Sequence, residues 1–466
     1  MKIAFCASEV VPFAKTGGLA DVAGALPLAL EALGQDLIIV MPGYKQVKEM
    51  PLTIKIKIKK FKEDISYSIL GKNIKVYFIE NDLYFNRDGL YADKTGDYKD
   101  NLERFSYYCK RTLQLLKEIN FLPDIIHCHD WQTSLIPVYL KTLYKDDPFY
   151  KNIKTILTIH NLGYQGLFSA QEYPKLGLDW SLFNMEMLEF YGKINILKGG
   201  IVFSDLITTV SHTYSKEIQT QEFGFGLEGV LLKRKDSLFG ILNGLDYSIW
   251  NPKTDKFIAQ RYSLEKPEAK LKNKTELQRI CKLPQKKDIP LFGIVSRLAQ
   301  QKGFDILAKV IDNLVKMNLQ LVILGTGDLK YHLLLEEKAK KYPKVISLHL
   351  KFDDPLAHKI YAGSDIFLMP SKYEPCGLGQ MISLKYGTIP LVFKTGGLAD
   401  TVNQENGFVF DNYSPNDLLK TIKKAMQVFK NKNKWKKLML KAMQYNFSWE
   451  ISAKEYLKLY ERAKSF

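Results

Sequence analysis

The sequence predicts an α/β protein of two doubly wound domains, each a parallel sheet wrapped by helices. Three observations carry that prediction. Apolar runs of strand length alternate with longer amphipathic stretches throughout the chain, the pattern of parallel sheets flanked by helices. The chain has 466 residues, beyond the length at which one hydrophobic core divides. A polar stretch from about Trp250 to Asp288, with Pro252, Pro267, Pro284 and many lysines, separates two halves of similar pattern.

Taken in order, the strands of the first half are 2–7 (KIAFCA), 36–41 (DLIIVM), 75–80 (KVYFIE), 124–129 (DIIHCH), 154–160 (KTILTIH) and 205–210 (DLITTV). Those of the second half are 291–296 (LFGIVS), 319–325 (LQLVILG), 344–350 (KVISLHL), 365–370 (DIFLMP) and 388–393 (TIPLVF). Each is a short, nearly continuous apolar run, as expected of strands covered on both faces. The stretches between them, such as 303–317 (GFDILAKVIDNLVKM), repeat apolar residues at the three-to-four spacing of a helix packed on a sheet. The domain junction falls just after NGLD at 243–246. In sheets of this kind ligands gather at the carboxyl ends of the strands, so a cleft between the two domains is the expected place for chemistry.

The composition, 46% hydrophobic and 25% charged, is that of a soluble globular enzyme rather than a disordered or fibrous chain. No run of 18 uncharged apolar residues occurs, and the opening MKIAFCASEV reads as a strand, not a signal peptide or anchor. The five cysteines are far apart and never in a CxxC pair, which argues against a disulfide framework or a zinc finger and for reduced thiols in the cytoplasm. The formal charge of +17 raises the question of nucleic acid. The charge is spread along the chain, however, and the densest runs have plainer readings. TIKIKIKKFK (53–62) alternates like an edge strand with its lysines in water, and KNKNKWKK (430–437) lies on a solvated helix face. Neither nucleic acid nor a membrane is expected as a partner.

The heptapeptide KTGGLAD occurs at 15–21 and again at 394–400. In the first copy the loop after strand 2–7 leads through Lys15, Gly17 and Gly18 into a helix. Bare backbone amides, a helix N-terminus and a lysine outline a phosphate or sugar-phosphate site; the alternative is a glycine turn packing a helix on a sheet. In the second copy the strand runs straight into Lys394, so the settings differ. Arg297 and Lys302 follow strand 291–296, and two cations there suit a pyrophosphate leaving group. The chain contains no DxD triplet, which makes fixed cations in place of a metal the consistent reading. Glu374, the carboxylate of PSKYEPCGLGQ (370–380), can bind sugar hydroxyls or stabilise an oxocarbenium ion, with Gly377 and Leu378 opening the next helix; alternatively it caps that helix. In HCHDW (127–131) the histidine pair invites a zinc reading but lacks a third ligand nearby, and Asp130 is the better functional candidate. His160 follows a strand and is either structural or catalytic.

Taken in order, KTGGLADV, HCHDW, IHNLGYQG, NGLD, SRLAQQKG, EPCGL and KTGGLADTV resemble the motif set of the bacterial glycogen synthases, relatives of plant starch synthases. The likeness runs from Phe5 to about Val409. It implies the GT-B fold of two Rossmann-like domains: 1–246 on the acceptor side, 247–448 on the nucleotide-sugar side, and a helix at 449–466 crossing back to the first domain. It further implies retaining transfer of glucose from ADP-glucose to an α-1,4-glucan, without metal or cofactor. By motif position, Lys15 is the donor-binding lysine, with Gly17, Gly18 and Asp21 of the same segment. Arg297 and Lys302 hold the donor phosphates, and Glu374, Cys376, Gly377 and Leu378 surround the glucosyl group. His160 lies near the anomeric centre, Asp130 is a cleft carboxylate, Asn243 marks the domain junction, and Thr395 and Gly396 of the second copy join the binding set. Lys15 is then expected to meet Arg297, Lys302 and Glu374 across a closing cleft. The chain departs from its relatives at Gly379, where many carry a hydroxyl, and at Ile382, in place of a second glutamate seen in many retaining enzymes of this fold.

Overall fold

In the computed structural model, which describes residues 1–50, 54–56 and 65–465, the chain divides into two units. One comprises Met1–Gly244 with Trp449–Phe466, the other Leu245–Ser448.

The first unit is organised around the strand Lys2–Cys6, one exposed lysine followed by four buried residues. It pairs in parallel with Asp36–Pro42 on one side and Ile125–His129 on the other, so that Ala4 lies opposite both Ile38 and Ile126. Outward from Ile125–His129 come Lys154–Ile159, Leu206–Thr209 and Leu238–Gly240. Outward from Asp36–Pro42 come Ile74–Ile79, then Ile65–Leu70 and Ile54–Ile56, the last two antiparallel. The first strand therefore sits where the winding reverses, the switch point at which such sheets open a ligand crevice. Ile65–Leu70 escapes a reading by alternation because Ser66 and Ser68 are buried, so the face that reads polar is covered. Of the basic run 53–62, Ile54–Ile56 forms the sheet's edge, and the rest lies outside the described residues.

The helix Gly18–Ala32 buries Leu19, Ala20, Val22, Ala23, Leu26 and Leu30. Against it packs the last helix, Trp449–Lys464, which belongs to this unit although some two hundred residues separate it in sequence. Ser452 Oγ donates to the Leu242 carbonyl at 2.6 Å, Lys464 pairs with Asp124 at 2.8 Å, and a Cβ at Gly244 would lie 2.5 Å from the Trp449 Cα. Gly244 is thus held bare by the returning helix.

In the second unit a six-stranded parallel sheet runs Ile346–His349, Gln320–Leu324, Leu291–Val295, Ile366–Met369, Ile389–Phe393, Phe408–Phe410. Numbered along the chain this is 3-2-1-4-5-6, the doubly wound nucleotide-binding order, with its switch point between Leu291–Val295 and Ile366–Met369. Phe304–Leu314 and Pro415–Lys430 bury Ile306, Leu307, Ile311, Leu418 and Ile422 against the sheet. The basic run at 430–437 lies largely on Lys432–Gln444; its lysines are exposed, while Trp435 enters the core.

The polar stretch from Trp250 to Asp288 contains no strand, but its lysines are not all solvated. On the helix Lys270–Ile280, Lys270 is buried and donates to the Ala362 carbonyl and Thr388 Oγ1, both at 2.7 Å. Burial pulls its ammonium down to about 7. Lys274, also buried, pairs with Asp365 at 2.7 Å. These two lysines anchor the stretch to the second sheet. All five cysteines are buried, and none is in a disulfide. Among the described residues no helix is long and apolar enough to cross a membrane.

Candidate active site

In the first unit the loop leaving Lys2–Cys6 is tied down by Glu9, a 4%-exposed carboxylate. It accepts from the Thr16 amide at 2.5 Å, the Gly17 amide at 3.1 Å, Thr16 Oγ1 at 2.6 Å and the Tyr91 hydroxyl at 2.7 Å. The anion at this helix N-terminus is therefore the chain's own. This corrects the expectation that the Gly17 amide waits for a ligand: that N–H is spent on Glu9. What stays open is the glycine face. Gly17 is extended (φ −147°), and a Cβ on Gly17 or Gly18 would meet nothing within 4 Å. Lys15 reaches Asp21 at 2.7 Å, with half of the lysine side chain exposed.

Each polar or aromatic residue of HCHDW fastens something at the ends of the neighbouring strands. His127 is saturated, with Nδ1 2.8 Å from the Tyr460 hydroxyl on the last helix and Nε2 2.6 Å from Thr158 Oγ1. His129 Nδ1 lies 2.9 Å from His160 Nε2. Asp130, in a left-handed conformation (φ +56°), accepts the His160 amide at 2.7 Å. Burial pushes its carboxyl up to about 7, against the backbone N–H groups of His160 and Asn161, which pull the other way. Trp131 packs where a Cβ on Gly166 (φ +64°) would come within 2.6 Å. Asp130 is thus a clamp on the His160–Gly166 loop. Burial holds His127 and His160 at about 3, so both imidazoles are neutral at ordinary pH. No group of three His, Cys, Asp or Glu side chains among the described residues is arranged to hold a metal ion. Asn243, buried at the end of the first unit, has a side-chain oxygen without a partner among the described residues.

In the second unit the two strands flanking the switch point carry the polar groups. Lys302 and Glu374 form an ion pair of 2.6 Å, with side chains 15% and 8% exposed, and Ser371 Oγ donates to the same carboxylate at 3.0 Å. Glu374 therefore does not cap the following helix, the alternative raised by the sequence. The two loops are sewn together: the Lys372 amide donates to the Gln301 carbonyl at 2.8 Å, and a Cβ at Gly303 (φ +82°) would lie 2.0 Å from the Pro370 oxygen. Arg297 is exposed and makes no ion pair among the described residues. Gly377 is left-handed (φ +73°), Leu378 precedes the helix Gly379–Lys385, and Cys376 is buried with its carbonyl accepting from Gln380 Nε2 at 3.0 Å. At Gly379 a Cβ would come within 2.9 Å of the Phe367 ring, so no hydroxyl-bearing residue fits there without movement.

The two copies of KTGGLAD are now distinguishable. In the second, Thr395 is buried and the Gly397 amide donates to the Glu374 and Pro375 carbonyls at 3.1 and 3.2 Å. A Cβ on Gly396 (φ +43°) would sit 2.1 Å from the Glu374 oxygen, and one on Gly397 2.1 Å from the Cys376 oxygen. These glycines hold the Glu374 loop, whereas a Cβ on either glycine of the first copy would meet nothing within 4 Å. Lys394 lies outside that contact, 3.4 Å from Asp411, with both side chains exposed. Gly397→Ala is expected to lower stability by about 2 kcal/mol or more through overpacking. Gly17→Ala is expected to leave unfolding unchanged while lowering turnover. Thermal unfolding and initial rates on the two variants check this, and equal destabilisation would remove the distinction.

Residues 2–233 match the family described as starch synthase catalytic domain, and 276–441 match glycosyl transferases group 1. Two doubly wound domains matching these two families define a glycosyltransferase of GT-B fold. The chain is 50% identical to a glycogen synthase of Geotalea uraniireducens and 47% identical to one of Thermotoga maritima, in each case over 99% of both chains. It superposes with a TM-score of 0.89, at 32% identity, on the catalytic domain of starch synthase IV from Arabidopsis thaliana bound to ADP and acarbose, covering 100% of this chain and 99% of that one. The chain belongs to the glycogen synthase family.

Sequence reasoning passed over Glu9 and Tyr91, and weighed His129 only as half of a metal-ligating pair. Glu9 alone left a signal, as the sole acidic residue before Asp21 and within the strand-to-helix turn.

Proposed function

We propose that the chain elongates glycogen, transferring glucose from ADP-glucose to the non-reducing end of an α-1,4-glucan with retention and release of ADP. The observation that carries this reading is the Lys302–Glu374 pair at the switch point of the second sheet, with the exposed Arg297 guanidinium beyond the same strand. The choice of donor draws on the Arabidopsis relative bound to ADP and acarbose.

In this reading Arg297 and Lys302 take the donor phosphates, and Glu374, with Cys376, Gly377 and Leu378, lies about the glucosyl group. The bond from the anomeric carbon to the phosphate oxygen breaks with its electron pair leaving on ADP, and the two cations offset the charge that grows there. The acceptor hydroxyl attacks from the same face and gives its proton to the departing phosphate. Glu374 is not assigned as a nucleophile, because its carboxylate is engaged by Lys302 and Ser371. Lys15 adds a further cation, beside the open side-chain face of Gly17 and Gly18. The neutral His160 hydrogen-bonds near the anomeric centre. Fixed cations serve where a divalent ion could, so the reading assigns no metal and no cofactor. It places the enzyme in the cytoplasm, with no nucleic-acid or membrane partner.

The test is release of ADP from ADP-glucose with glycogen present, beside UDP-glucose and repeated in EDTA. Acceptor-dependent, EDTA-insensitive release from ADP-glucose is expected. Turnover of UDP-glucose alone would overturn the donor, loss of activity in EDTA would overturn metal independence, and silence with both donors would overturn the function.

A further inference from the structure

His129 is fully buried, its ring packed against Phe5 and His127 with both centroids 4.2 Å away. One of its nitrogens, Nδ1, faces His160 Nε2 at 2.9 Å; the other, Nε2, is buried with no partner among the described residues. Burial keeps both imidazoles neutral, so each carries one proton, and the short contact between them admits only two arrangements. In one, His160 donates from Nε2 and the His129 proton sits on Nε2, an N–H sealed among rings with nothing to accept it. In the other, His129 donates from Nδ1 and the orphaned Nε2 is a bare lone pair. Orphaned buried N–H groups are the rarer outcome in folded proteins, which selects the second arrangement.

We infer that His129 is a positioning residue: from beneath the site it donates Nδ1–H to His160 Nε2, fixing that ring and leaving the proton of His160 on Nδ1 as a donor toward substrate oxygen. The backbone of His160 is fixed independently by Asp130, so ring and main chain are each held by one residue of HCHDW. His127 cannot substitute, because both of its nitrogens are engaged by Tyr460 and Thr158. This inference rests on the proposed function only for the direction in which the His160 proton is used, toward a sugar or phosphate oxygen.

The experiment is nitrogen-15 NMR of the full-length protein labelled at histidine, with His160 assigned by its absence in His160→Gln. His160 is expected to show a protonated Nδ1 and a bare Nε2, and the reverse pattern overturns the inference whether or not the protein transfers glucose. Kinetics of two variants complete it. His129→Asn, which keeps an N–H near the position of Nδ1, is expected to retain kcat within about tenfold, and His129→Leu to lose about 10²-fold with little change in KM. Equal kcat in both variants, or a loss confined to KM, overturns the positioning role. The expected tautomer in a protein silent toward every donor would uphold His129 and refute the glucosyl-transfer reading instead.

Discussion

Glu374→Ala is expected to abolish glucosyl transfer, by about 10³-fold or more, and to lower stability by about 3 kcal/mol. The second effect follows from what remains. Lys302 has a side chain only 15% exposed, and its carboxylate partner is at 2.6 Å. Removing that partner strands an ammonium in a site with little water, which costs more than the pair contributes when intact. Thermal unfolding should fall by about 6–12 °C for a unit of this size. Lys302→Ala is expected to behave alike, stranding the carboxylate with Ser371 as its remaining donor. The pair Lys302→Met with Glu374→Leu separates structure from chemistry, because two apolar side chains of similar volume restore stability to within about 1 kcal/mol while turnover stays lost. Calorimetry and ADP-release rates on the three variants decide it. A double variant as unstable as the singles would dismiss the ion pair as a stability element, and normal turnover in Glu374→Ala would remove Glu374 from the site.

Lys15→Ala is the complementary case. Its partner Asp21 lies on the same exposed turn, and exposed pairs of this kind contribute between 0 and about 1 kcal/mol. Unfolding should therefore scarcely move. Turnover is expected to fall by about 10²–10³-fold, the loss of one charge-assisted contact to a phosphate that gains charge as the bond breaks. Lys15→Arg should recover only part of it, since a planar guanidinium does not reproduce a compact ammonium. Steady-state kinetics with ADP-glucose, beside a melting curve, provide the check. A normal rate in Lys15→Ala would mean that the open glycine face of the first KTGGLAD copy serves something else.

The two copies show where reading a sequence stops. Continuous apolar runs located the central strands, from 2–7 to 388–393, because strands buried on both faces are apolar at nearly every position, whatever they pair with. They could not locate Phe408–Phe410 or Leu238–Gly240, where three residues make too short a run. The loops were harder for a different reason. Identical heptapeptides pack differently because their neighbours differ: Glu9 lies beneath one, and the Glu374 and Cys376 carbonyls lie against the other. Lys302 and Glu374 were each legible as polar groups at strand ends. Their pairing across 72 residues was not, since it depends on which strands adjoin the switch point. The tether from His129 to His160 was hidden likewise, 31 residues apart in sequence and joined only by adjacent parallel strands.

The return of Trp449–Lys464 to the first unit has a consequence for biosynthesis. On the ribosome, Met1–Gly244 emerges first but without the helix that covers Gly18–Ala32 and supplies the Tyr460 hydroxyl to His127. At ordinary elongation rates it waits on the order of 10–40 s for that helix, with apolar surface uncovered. Leu245–Ser448 is contiguous and complete as soon as its own last residue is out. The later-made unit is therefore the first able to finish folding, and the vulnerable nascent species is the earlier one, a full sheet awaiting its final helix.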